Sequence, residues 1–527
     1  MPVVADVISA SQTPSSKRGL ASPNFALNSA VALVLAFTLL PFIYIALRAF
    51  EKPLPEILDL LLRAKTLQVL GTTTALLLIV VAVNIFFGTL MAAGLHFIRL
   101  PKAHLFILPT ILPLAIPSYV FTYTWLALIP SMSGLFAAAF ILILTTMPYM
   151  LLAILVSLRR IDSSLIEVAR TLGLSRTAIF FKVVLPQIRS SISAGALLSG
   201  LYVMSDFGAV SLLNVETLTV SIQNMFKASY DRRAASVISI LLILASIIFI
   251  SFNEKLKDST AKENISKRLM AKNTRINNSG LKVVLLLSIG IYTLLAVVIP
   301  IYVLISRFIG NPNPIDFARL TETAISTISV AALGAFIALL ISAPLGLLIS
   351  THAGKYSRFA ERVILIGHAL PGVIIGLALV SLGSKLGPLY QSTLLLAFAY
   401  ALLFLAKAVA SMTSALQLVP STLKEVAATL GKSKSKVTTS VVFPIALPSI
   451  GLGTLLVFLT AMKELPATLM LRPTGMDTLA TQIWSYASIN RFNDAAPYAL
   501  LLVLIAAIPT FLLSAPRNPS EKVEISQ

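Results

Sequence analysis

The sequence predicts an all-α polytopic membrane protein with about 12 transmembrane helices in two parallel six-helix halves. Three observations lead to this fold class: the chain is strongly apolar, its apolar residues fall into long runs, and one polar loop occurs twice. Of its 527 residues, 57% are hydrophobic and 12% are charged, and the mean hydropathy is +0.91. Soluble domains carry about a quarter charged residues, so this composition places the chain in a lipid bilayer.

Twelve apolar stretches are long enough to cross a bilayer as helices, for which roughly 20 residues are needed. They lie at about 27–47, 68–95, 105–129, 135–157, 190–213, 234–252, 282–306, 323–350, 361–383, 390–416, 447–470 and 495–514. The first is longer than the apolar core of a secretory signal and no small-residue cleavage site follows it, so we expect a retained helix. The third contains Pro109, Pro113 and Pro117, which predict a kinked or broken helix.

The charges of the loops predict the orientation of the chain. If the N-terminus is cytoplasmic, the inside loops are strongly basic, whereas bases in the outside loop at 48–65 are largely offset by acids. The inside bases are Arg99, Lys102, Arg159, Arg160, Arg170, Arg176, Lys182, Arg189, Lys355, Arg358, Arg362, Lys424, Lys432, Lys434 and Lys436, with further ones in the linker 253–281. This positive-inside bias predicts that both termini are cytoplasmic. It also explains the net charge of +20, so no nucleic acid partner is expected.

The residue types available exclude several kinds of site. Cysteine is absent, which rules out disulfides, thiolate metal sites and iron–sulfur clusters. The four histidines show no i, i+4 pair, so we expect no built-in metal site. A membrane-embedded enzyme is not favoured either, because no HExxH, GxSxG or clustered His/Asp pair occurs in the predicted spans.

One polar loop occurs twice along the chain. Residues 167–186 read EVARTLGLSRTAIFFKVVLP, and residues 425–444 read EVAATLGKSKSKVTTSVVFP. A spacing of 258 residues separates Glu167 from Glu425, Gly173 from Gly431, Pro186 from Pro444 and, in the next apolar stretch, Asp206 from Glu464. Because both copies fall on the same predicted side of the membrane, the two halves form a parallel repeat.

The repeat and the basic segment between its copies divide the chain. We predict a cytoplasmic tail, first helix and outer loop at 1–65, a first membrane core at 66–252 and a cytoplasmic basic linker at 253–281. A seventh helix and outer loop follow at 282–320, then a second membrane core at 321–513 and a cytoplasmic tail at 514–527. An even number of spans in each half places both loops on one side.

Each copy of the loop predicts a short amphipathic helix. A capping box begins it, at 164–167 and at 422–425, and Gly173 or Gly431 ends it. Its apolar stripe is formed by Leu165, Val168 and Leu172 in the first copy and by Leu423, Val426 and Leu430 in the second. A helix of about two turns is marginal in water, so we expect a partner to bury the stripe. Glu167 and Glu425 are either caps alone or part of a docking surface, and their symmetric placement favours docking.

With these residues the loop resembles the EAA loop of binding-protein-dependent ABC importer permeases. The matching residues are Glu167, Ala169, Gly173 and Pro186 in the first copy and Glu425, Ala427, Gly431 and Pro444 in the second. Val168 and Val426 stand where the name-giving pattern has alanine. The resemblance implies the type I permease fold and a coupling helix that sits in a cleft of a cytoplasmic ABC ATPase. It also implies two copies of that ATPase and an extracytoplasmic substrate-binding protein as partners, at a bacterial inner membrane.

ATP is not expected to bind to this chain. The segment Gly431-Lys432-Ser433 resembles the end of a phosphate-binding loop, which needs a glycine five residues before Gly431. That position is Val426, and a predicted helix rather than a strand precedes it. We therefore expect no cofactor here, with ATP and Mg bound by the separate ATPase subunits.

Two acidic residues lie inside apolar stretches, where a charge costs about 2.5–3.5 kcal/mol on insertion scales. Asp206 and Glu464 either line a translocation pathway, or lie in helices that are broken near the outer surface, where water reaches the carboxylates and they merely orient the fold. Pro117 and Pro371 occupy equivalent third helices and mark either broken segments of the pathway or ordinary kinks.

A narrower resemblance concerns the substrate. The fused two-half organisation resembles the ferric iron permeases, with thiamine and aminoethylphosphonate permeases as fused relatives. The similar segments are 112–119, 206–208, 462–469 and 478–484. This resemblance implies import of ferric iron by alternating access, with thiamine or aminoethylphosphonate as the alternative. A 12-helix secondary transporter is a distant alternative, because it would not need two matching amphipathic loops.

Overall fold

The structure is a computed structural model, and it describes residues 25–100, 103–159, 161, 163–227, 231–258, 278–352, 354–368, 370–385 and 387–514. The predicted tails before residue 25 and after residue 514, and most of the predicted linker, therefore lie outside the described residues. Within the described ranges the regular elements are helices, and there is no β-strand.

The first half of the chain forms twelve helices in the described residues. They are α1 (Phe25–Ala49), α2 (Leu54–Leu62), α3 (Ala64–Phe97), α4 (Ala103–Ile111), α5 (Ser118–Leu128), α6 (Leu135–Leu158), α7 (Ser163–Thr171), α8 (Arg176–Ile179), α9 (Leu185–Ser205), α10 (Gly208–Leu212), α11 (Leu218–Lys227) and α12 (Arg232–Asp258). The second half continues with α13 (Ser279–Thr293), α14 (Ile299–Ile309), α15 (Phe317–Thr351), α16 (Lys355–His368), α17 (Gly372–Gly383), α18 (Thr393–Leu403), α19 (Leu405–Gln417), α20 (Ser421–Thr429), α21 (Lys434–Val437), α22 (Phe443–Ala461), α23 (Pro466–Leu471), α24 (Leu479–Ala487) and α25 (Phe492–Ser514).

The lengths of the apolar helices confirm a polytopic membrane protein. Seven described helical segments are long and apolar enough to cross a bilayer, and there are ten if each of three bent helix pairs counts as one span. The bent pairs are α4 with α5, α16 with α17, and α18 with α19. Two further predicted stretches correspond to α9 and α25. Helix α9 is not among the seven segments, and in α25 the apolar part Phe492–Ile508 is shorter than they are. The count of twelve spans stays a prediction.

Three described segments widen into a π-helix just before a proline. They are Phe180–Val184, Leu294–Val298 and Thr438–Val442, and in each case the second residue of the following α-helix is proline. These prolines are Pro186, Pro300 and Pro444. A proline lacks an N–H and its ring clashes with the carbonyl four residues earlier, so a local π-turn lets the helix continue through it.

The described residues form two compact units that do not follow the chain order. The second-half unit contains the described residues within 25–67, 218–243 and 311–513, and the first-half unit contains the described residues within 68–217, 244–258 and 278–310, together with residue 514. In the second-half unit, Val31, Val34 and Leu35 of α1 share an apolar cluster with residues of α15, α16 and α19. The predicted boundaries at 65, 252, 281, 320 and 513 divide the sequence by its repeat and stay predictions.

Glycines bring helices close together at equivalent places in the two units. In the first-half unit, a Cβ atom at Gly88 on α3 would lie 2.6 Å from Met150 Cγ, and one at Gly195 on α9 would lie 2.8 Å from Met150 Sδ. In the second-half unit, Gly346 on α15 and Gly453 on α22 approach α19 in the same way. Each glycine and its equivalent are 258 residues apart, so the repeat extends from the loop to the packing of the helices.

Ion pairs connect the segment after α1 to the start of α12 within the second-half unit. Glu51 accepts hydrogen bonds from Arg48, at 2.6 and 2.7 Å, and from Arg233 Nε, at 3.1 Å. Lys52 Nζ lies 3.5 Å from a carboxylate oxygen of Asp231. The hydrogen bonds from Arg48 and the charge of Arg233 hold the pKa of Glu51 below its ordinary value.

Candidate functional site

Two short helices, α7 and α20, occupy the repeated polar loop, and we call them the loop helices. Each ends in the same hydrogen-bonded turn. After α7, the N–H of Gly173 donates to the carbonyl of Arg170 at 2.9 Å, and the N–H of Leu174 donates to the carbonyl of Ala169 at 3.1 Å. The equivalent bonds after α20 measure 3.0 and 3.2 Å. The φ angles of +78° at Gly173 and +77° at Gly431 confirm the predicted left-handed glycines.

The starts of the loop helices differ from the prediction. Helix α20 begins at Ser421 with Pro420 as its N-cap, and no side chain caps it, so the predicted capping box at 422–425 is wrong. Helix α7 begins at Ser163, so Ser164 lies inside the helix and the predicted capping box at 164–167 is wrong as well. The N-cap position of α7 lies outside the described residues. Both Glu167 and Glu425 are exposed. The capping role alone therefore does not account for Glu425.

The apolar stripe of each loop helix is exposed. Leu172 and Leu430 at its end are both 75% exposed, and the other predicted stripe residues, Leu165, Val168, Leu423 and Val426, are exposed as well. Beside the stripe, on a neighbouring face of each helix, Ala169 and Ala427 are only 4% and 6% exposed. The chain thus buries one face of each loop helix and leaves the predicted apolar face uncovered.

A continuous helical segment connects each loop helix to the membrane-spanning part of its own unit. Helix α8, the π-segment Phe180–Val184 and α9 run without interruption, and so do α21, the π-segment Thr438–Val442 and α22. Pro186 and Pro444 are the second residues of α9 and α22. They thus lie within this continuous helical segment. In the sequence they were recognised only as the last residues of the repeated loop.

Both of the predicted prolines lie at breaks between helices. Pro117 is the N-cap of α5, with φ −65° and ψ 153°, and the axes of α4 and α5 differ by 94°. Pro371 is the N-cap of α17, with φ −62° and ψ 153°, and the axes of α16 and α17 differ by 96°. The matching angles identify breaks rather than gentle kinks. Their place on a translocation pathway stays a prediction.

Asp206 lies at a second break between helices in the first-half unit, between α9 and α10. It follows the last residue of α9, and its Oδ1 accepts hydrogen bonds from the N–H groups of Ala209 at 2.9 Å and Val210 at 3.3 Å. Its Oδ2 accepts a hydrogen bond from the hydroxyl of Ser118, the first residue of α5. The carboxylate therefore caps the short helix α10 and links it to the break at Pro117.

Glu464 lies at the corresponding break in the second-half unit, between α22 and α23, and its carboxylate caps α23. Its Oε1 accepts the N–H of Ala467 at 2.9 Å, and its Oε2 accepts the N–H and hydroxyl of Thr468 at 3.0 and 2.7 Å. Asp206 and Glu464 are only 7% and 8% exposed. The predicted helix breaks are present, and both carboxylates are buried beside them. Their place on a translocation pathway stays a prediction. Hydrogen bonds from the backbone offset the cost of burying the charge.

The two acids reach the proline breaks with complementary side-chain lengths. In the first-half unit the shorter Asp206 meets the hydroxyl of Ser118. In the second-half unit the longer Glu464 approaches Gly372, the residue after Pro371, so closely that a Cβ atom there would clash with its Oε1. One half therefore combines aspartate with serine, and the other combines glutamate with glycine. No sequence signal singled out Gly372, apart from its position directly after Pro371, whereas Ser118 lies in the segment 112–119 that resembles the iron permeases.

Together these features define a two-half membrane transport protein with one exposed loop helix and the same pair of helix breaks in each half. The chain belongs to the family described as binding-protein-dependent transport system inner membrane component, whose model matches residues 84–260 and 342–516. The resemblance of the repeated loop to ABC importer permeases is thereby confirmed, in both halves. The chain is a transport component rather than an enzyme, and the secondary transporter is not supported.

Relatives of this chain transport several cargoes. The Fe(3+)-transport system permease protein FbpB 2 of Haemophilus influenzae is 29% identical over 499 residues, which cover 93% of this chain and 98% of the relative. The sulfate transport system permease protein CysW of Escherichia coli is 28% identical over 237 residues, 41% of this chain and 81% of the relative. The molybdenum transport system permease protein ModB of Mycobacterium tuberculosis is 29% identical over 199 residues, 34% of this chain and 74% of the relative.

Proposed function

We propose that this chain is the permease of an ABC importer that moves ferric iron from an extracytoplasmic binding protein into the cytoplasm. The match to the ferric iron permease supports this cargo because it runs along both halves, whereas the sulfate and molybdenum permeases each match less than half of the chain. The similarity of the segments around Pro117, Asp206 and Glu464 to iron permeases points the same way. Thiamine, aminoethylphosphonate and the oxyanions of the other relatives are the competing cargoes.

The partners of the proposed importer are two ATPase subunits, each docked on one loop helix. The observation that carries this proposal is the exposed stripe on α7 and α20, which has the same pattern in both copies. Burying one leucine side chain contributes about 1.5–3 kcal/mol. Three apolar residues on each loop helix therefore provide substantial docking energy at two equivalent places. ATP and Mg bind to these subunits, since this chain lacks a phosphate-binding loop.

The proposed mechanism is alternating access driven by the loop helices. Force applied to α7 passes through the continuous segment α8–α9 to Asp206, and from Asp206 to the break at Pro117. In the second half the corresponding path runs from α20 through α22 to Glu464 and the break at Pro371. Helix breaks are places where a membrane helix pivots. The chain would lie in the bacterial inner membrane with both termini cytoplasmic.

Coupling is tested with substitutions that remove apolar docking area and leave the backbone unstrained. The variant Leu172→Ser/Leu430→Ser should insert normally, bind the ATPase weakly and lose ATP-driven uptake. The control is Leu62→Ser, because Leu62 on α2 is also highly exposed, at 67%, and lies outside the loops. Uptake of radioactive iron into proteoliposomes with the ATPase and the binding protein provides the measurement. Wild-type uptake in the double variant would show that the stripe is not the coupling surface.

The cargo is tested by comparing substrates under the same conditions. A strain that lacks this permease should lose uptake of Fe(III) while its uptake of thiamine, sulfate and molybdate is unchanged, and the wild-type gene should restore the loss. If the strain loses uptake of thiamine or an oxyanion instead, the chain is still an importer permease, but iron is not its cargo.

A further inference from the structure

Two tyrosine rings lie side by side in the first-half unit, at the break that Asp206 caps. The ring centres of Tyr149 on α6 and Tyr202 on α9 are 6.0 Å apart, and the ring planes are tilted by 42°. Asp206 follows Tyr202 by four residues at the end of α9, so the two side chains project from the same face of the helix. Ser118 donates a hydrogen bond to Asp206 and lies within hydrogen-bonding range of the Tyr202 hydroxyl. Oxygen-bearing side chains of α5, α6 and α9 therefore meet at this break.

The Tyr149 side chain is more accessible than its surroundings on α6. Tyr149 is half-buried, whereas the residues one turn away on either side are at most 8% exposed, namely Thr145, Thr146, Leu152 and Ala153. Because its neighbours on this face are covered, Tyr149 is reached from an interior space rather than from lipid. Its hydroxyl forms no hydrogen bond with the described residues. A polar group inside a membrane protein requires a partner, so this hydroxyl is available to a ligand.

The break at Glu464 in the second half has a different arrangement. The repeat spacing of 258 residues along α9 and α22 places Thr460 at the position of Tyr202. The phenol near Glu464 belongs to Tyr400, which is only 2% exposed and whose hydroxyl lies 2.6 Å from Thr468 Oγ1. That phenol is enclosed and hydrogen-bonded within the protein. Capping of the break therefore does not account for two half-buried phenols in the first half.

The donor atoms at this place select the kind of ligand. They are the oxygens of two phenols, one hydroxyl and one carboxylate, and oxygen donors suit hard cations, whereas thiolate donors suit softer metals. The carboxylate charge disfavours an anion. A bound metal ion deprotonates its ligands, so two phenolates and one carboxylate together carry the three negative charges that balance a ferric ion. A balanced charge costs far less in the membrane interior than a bare ion.

We infer that Tyr149, Tyr202 and Asp206 form a transient site for the ferric ion as it passes the first half of the permease. This inference rests on the proposed function as an iron permease. Asp206 Oδ1 stays with the backbone of α10, and Oδ2, on the side of Ser118, contacts the ion. Each phenol releases its proton to water when its oxygen binds the ion and regains a proton when the ion leaves, and no electron is transferred. Water completes the shell of the ion, and its exchange allows release.

Spectroscopy of the complex of permease and ATPase tests the site without the binding protein. Ferric iron bound by phenolate absorbs visible light by charge transfer, whereas iron bound by carboxylates and water lacks this band. Ferric citrate should produce the band in the wild type, and Tyr149→Phe/Tyr202→Phe, which keeps both rings, should abolish it. The control is Tyr302→Phe, because Tyr302 on α14 is 66% exposed. No band in the wild type, or a full band in the double variant, would overturn the inference.

Protection from nitration locates the ion in the wild type and does not depend on whether a variant folds. The complex of permease and ATPase is nitrated with gallium citrate, in which the trivalent ion is redox-inert, or with citrate alone, and mass spectrometry follows Tyr149 and Tyr202. Gallium citrate should protect both tyrosines and citrate should not. Equal nitration under both conditions contradicts a cation site.

Uptake of radioactive iron separates this inference from the proposed cargo. In proteoliposomes with the ATPase and the binding protein, the double phenylalanine variant should take up iron at least about tenfold more slowly at subsaturating supply, since losing groups around a metal commonly costs about 10–100-fold in affinity or activity. Wild-type uptake by this variant would overturn the transient site and leave the cargo in place. A phenolate band in a wild-type complex that takes up no iron would support the cation site and overturn the proposed cargo.

Discussion

The matched lengths of the side chains at the two helix breaks predict a double-mutant cycle in the second-half unit. The substitutions are Gly372→Ser, Glu464→Asp and the combination of both. The combined variant recreates the pair that the first half carries naturally in Ser118 and Asp206. Each single substitution should therefore destabilise the unit, and the combination should destabilise it less than the sum of the two.

The magnitudes follow from the contacts at Glu464. A Cβ atom at Gly372 would clash with Glu464 Oε1 and lie 3.0 Å from Pro466 Cγ, so Gly372→Ser overpacks the break by about 1–3 kcal/mol. Glu464→Asp withdraws the carboxylate from the N–H groups of Ala467 and Thr468, and lost hydrogen bonds to a charged group cost about 1.5–3 kcal/mol. In the combined variant the shorter acid vacates the space that the serine needs. We expect a coupling energy of about 1–3 kcal/mol that favours the combination.

Thermal unfolding of the purified variants, followed by the fluorescence of Trp125 and Trp484, measures the cycle. A loss of 1 kcal/mol lowers the melting temperature by about 2–4 °C in a domain of roughly 150–250 residues. Strict additivity of the two single effects would refute the idea that Gly372 and Glu464 form one matched contact. Uptake by the combined variant then decides between the roles of Glu464. Recovery of stability and uptake together indicates a cap, whereas recovery of stability alone indicates contact with the cargo.

Two further predictions concern the loop glycines and the charges near α1. Gly431→Ala should destabilise the end of α20 by about 1–2 kcal/mol, the cost of a left-handed alanine. Gly451→Ala inside α22 is the control and should not destabilise its helix, since an added methyl group meets nothing within 4 Å at either position and only Gly431 is left-handed. Hydrogen exchange measures both effects, and equal effects at the two positions would contradict this prediction. Because the pKa of Glu51 is lowered, its contribution to stability is complete above the ordinary carboxyl pKa and is lost as the pH falls through the folded pKa. Between about pH 6 and about pH 3 the melting temperature of the wild type should therefore fall further than that of Glu51→Gln. Identical pH profiles of the melting temperature would refute this prediction.

The fold class was predictable because it depends on local patterns. Long apolar runs identify membrane helices without knowledge of their neighbours, and a glycine after a short amphipathic stretch identifies the end of a helix. The exposed stripe of the loop helices was predictable for the same reason, since the spacing of Leu423, Val426 and Leu430 fixes their common face. The start of α20 was missed because the Thr-x-x-Glu pattern competes with Pro420, which takes the N-cap position one residue before the helix begins at Ser421.

Features that depend on distant contacts were not predictable from the sequence. The sequence shows that Asp206 and Glu464 lie in apolar stretches, but their hydrogen bonds depend on which helix break lies beside them. Ser118 is 88 residues from Asp206 in the chain, and nothing local marks it as its partner. The packing of α1 within the second-half unit is of the same kind, because it joins residues near the N-terminus to helices beyond residue 340. The π-segments did have a local signal, since a proline inside an apolar helix requires a local adjustment of its hydrogen bonds.

The stoichiometry of the assembled complex tests the central claim most directly. Native mass spectrometry of the purified importer should show one permease chain with two ATPase subunits, because α7 and α20 expose the same stripe. The single variant Leu430→Ser should weaken one of the two contacts, and Leu172→Ser/Leu430→Ser should release both subunits, while Leu62→Ser should release neither. Two ATPase subunits that stay bound to the double variant at wild-type affinity would contradict the account.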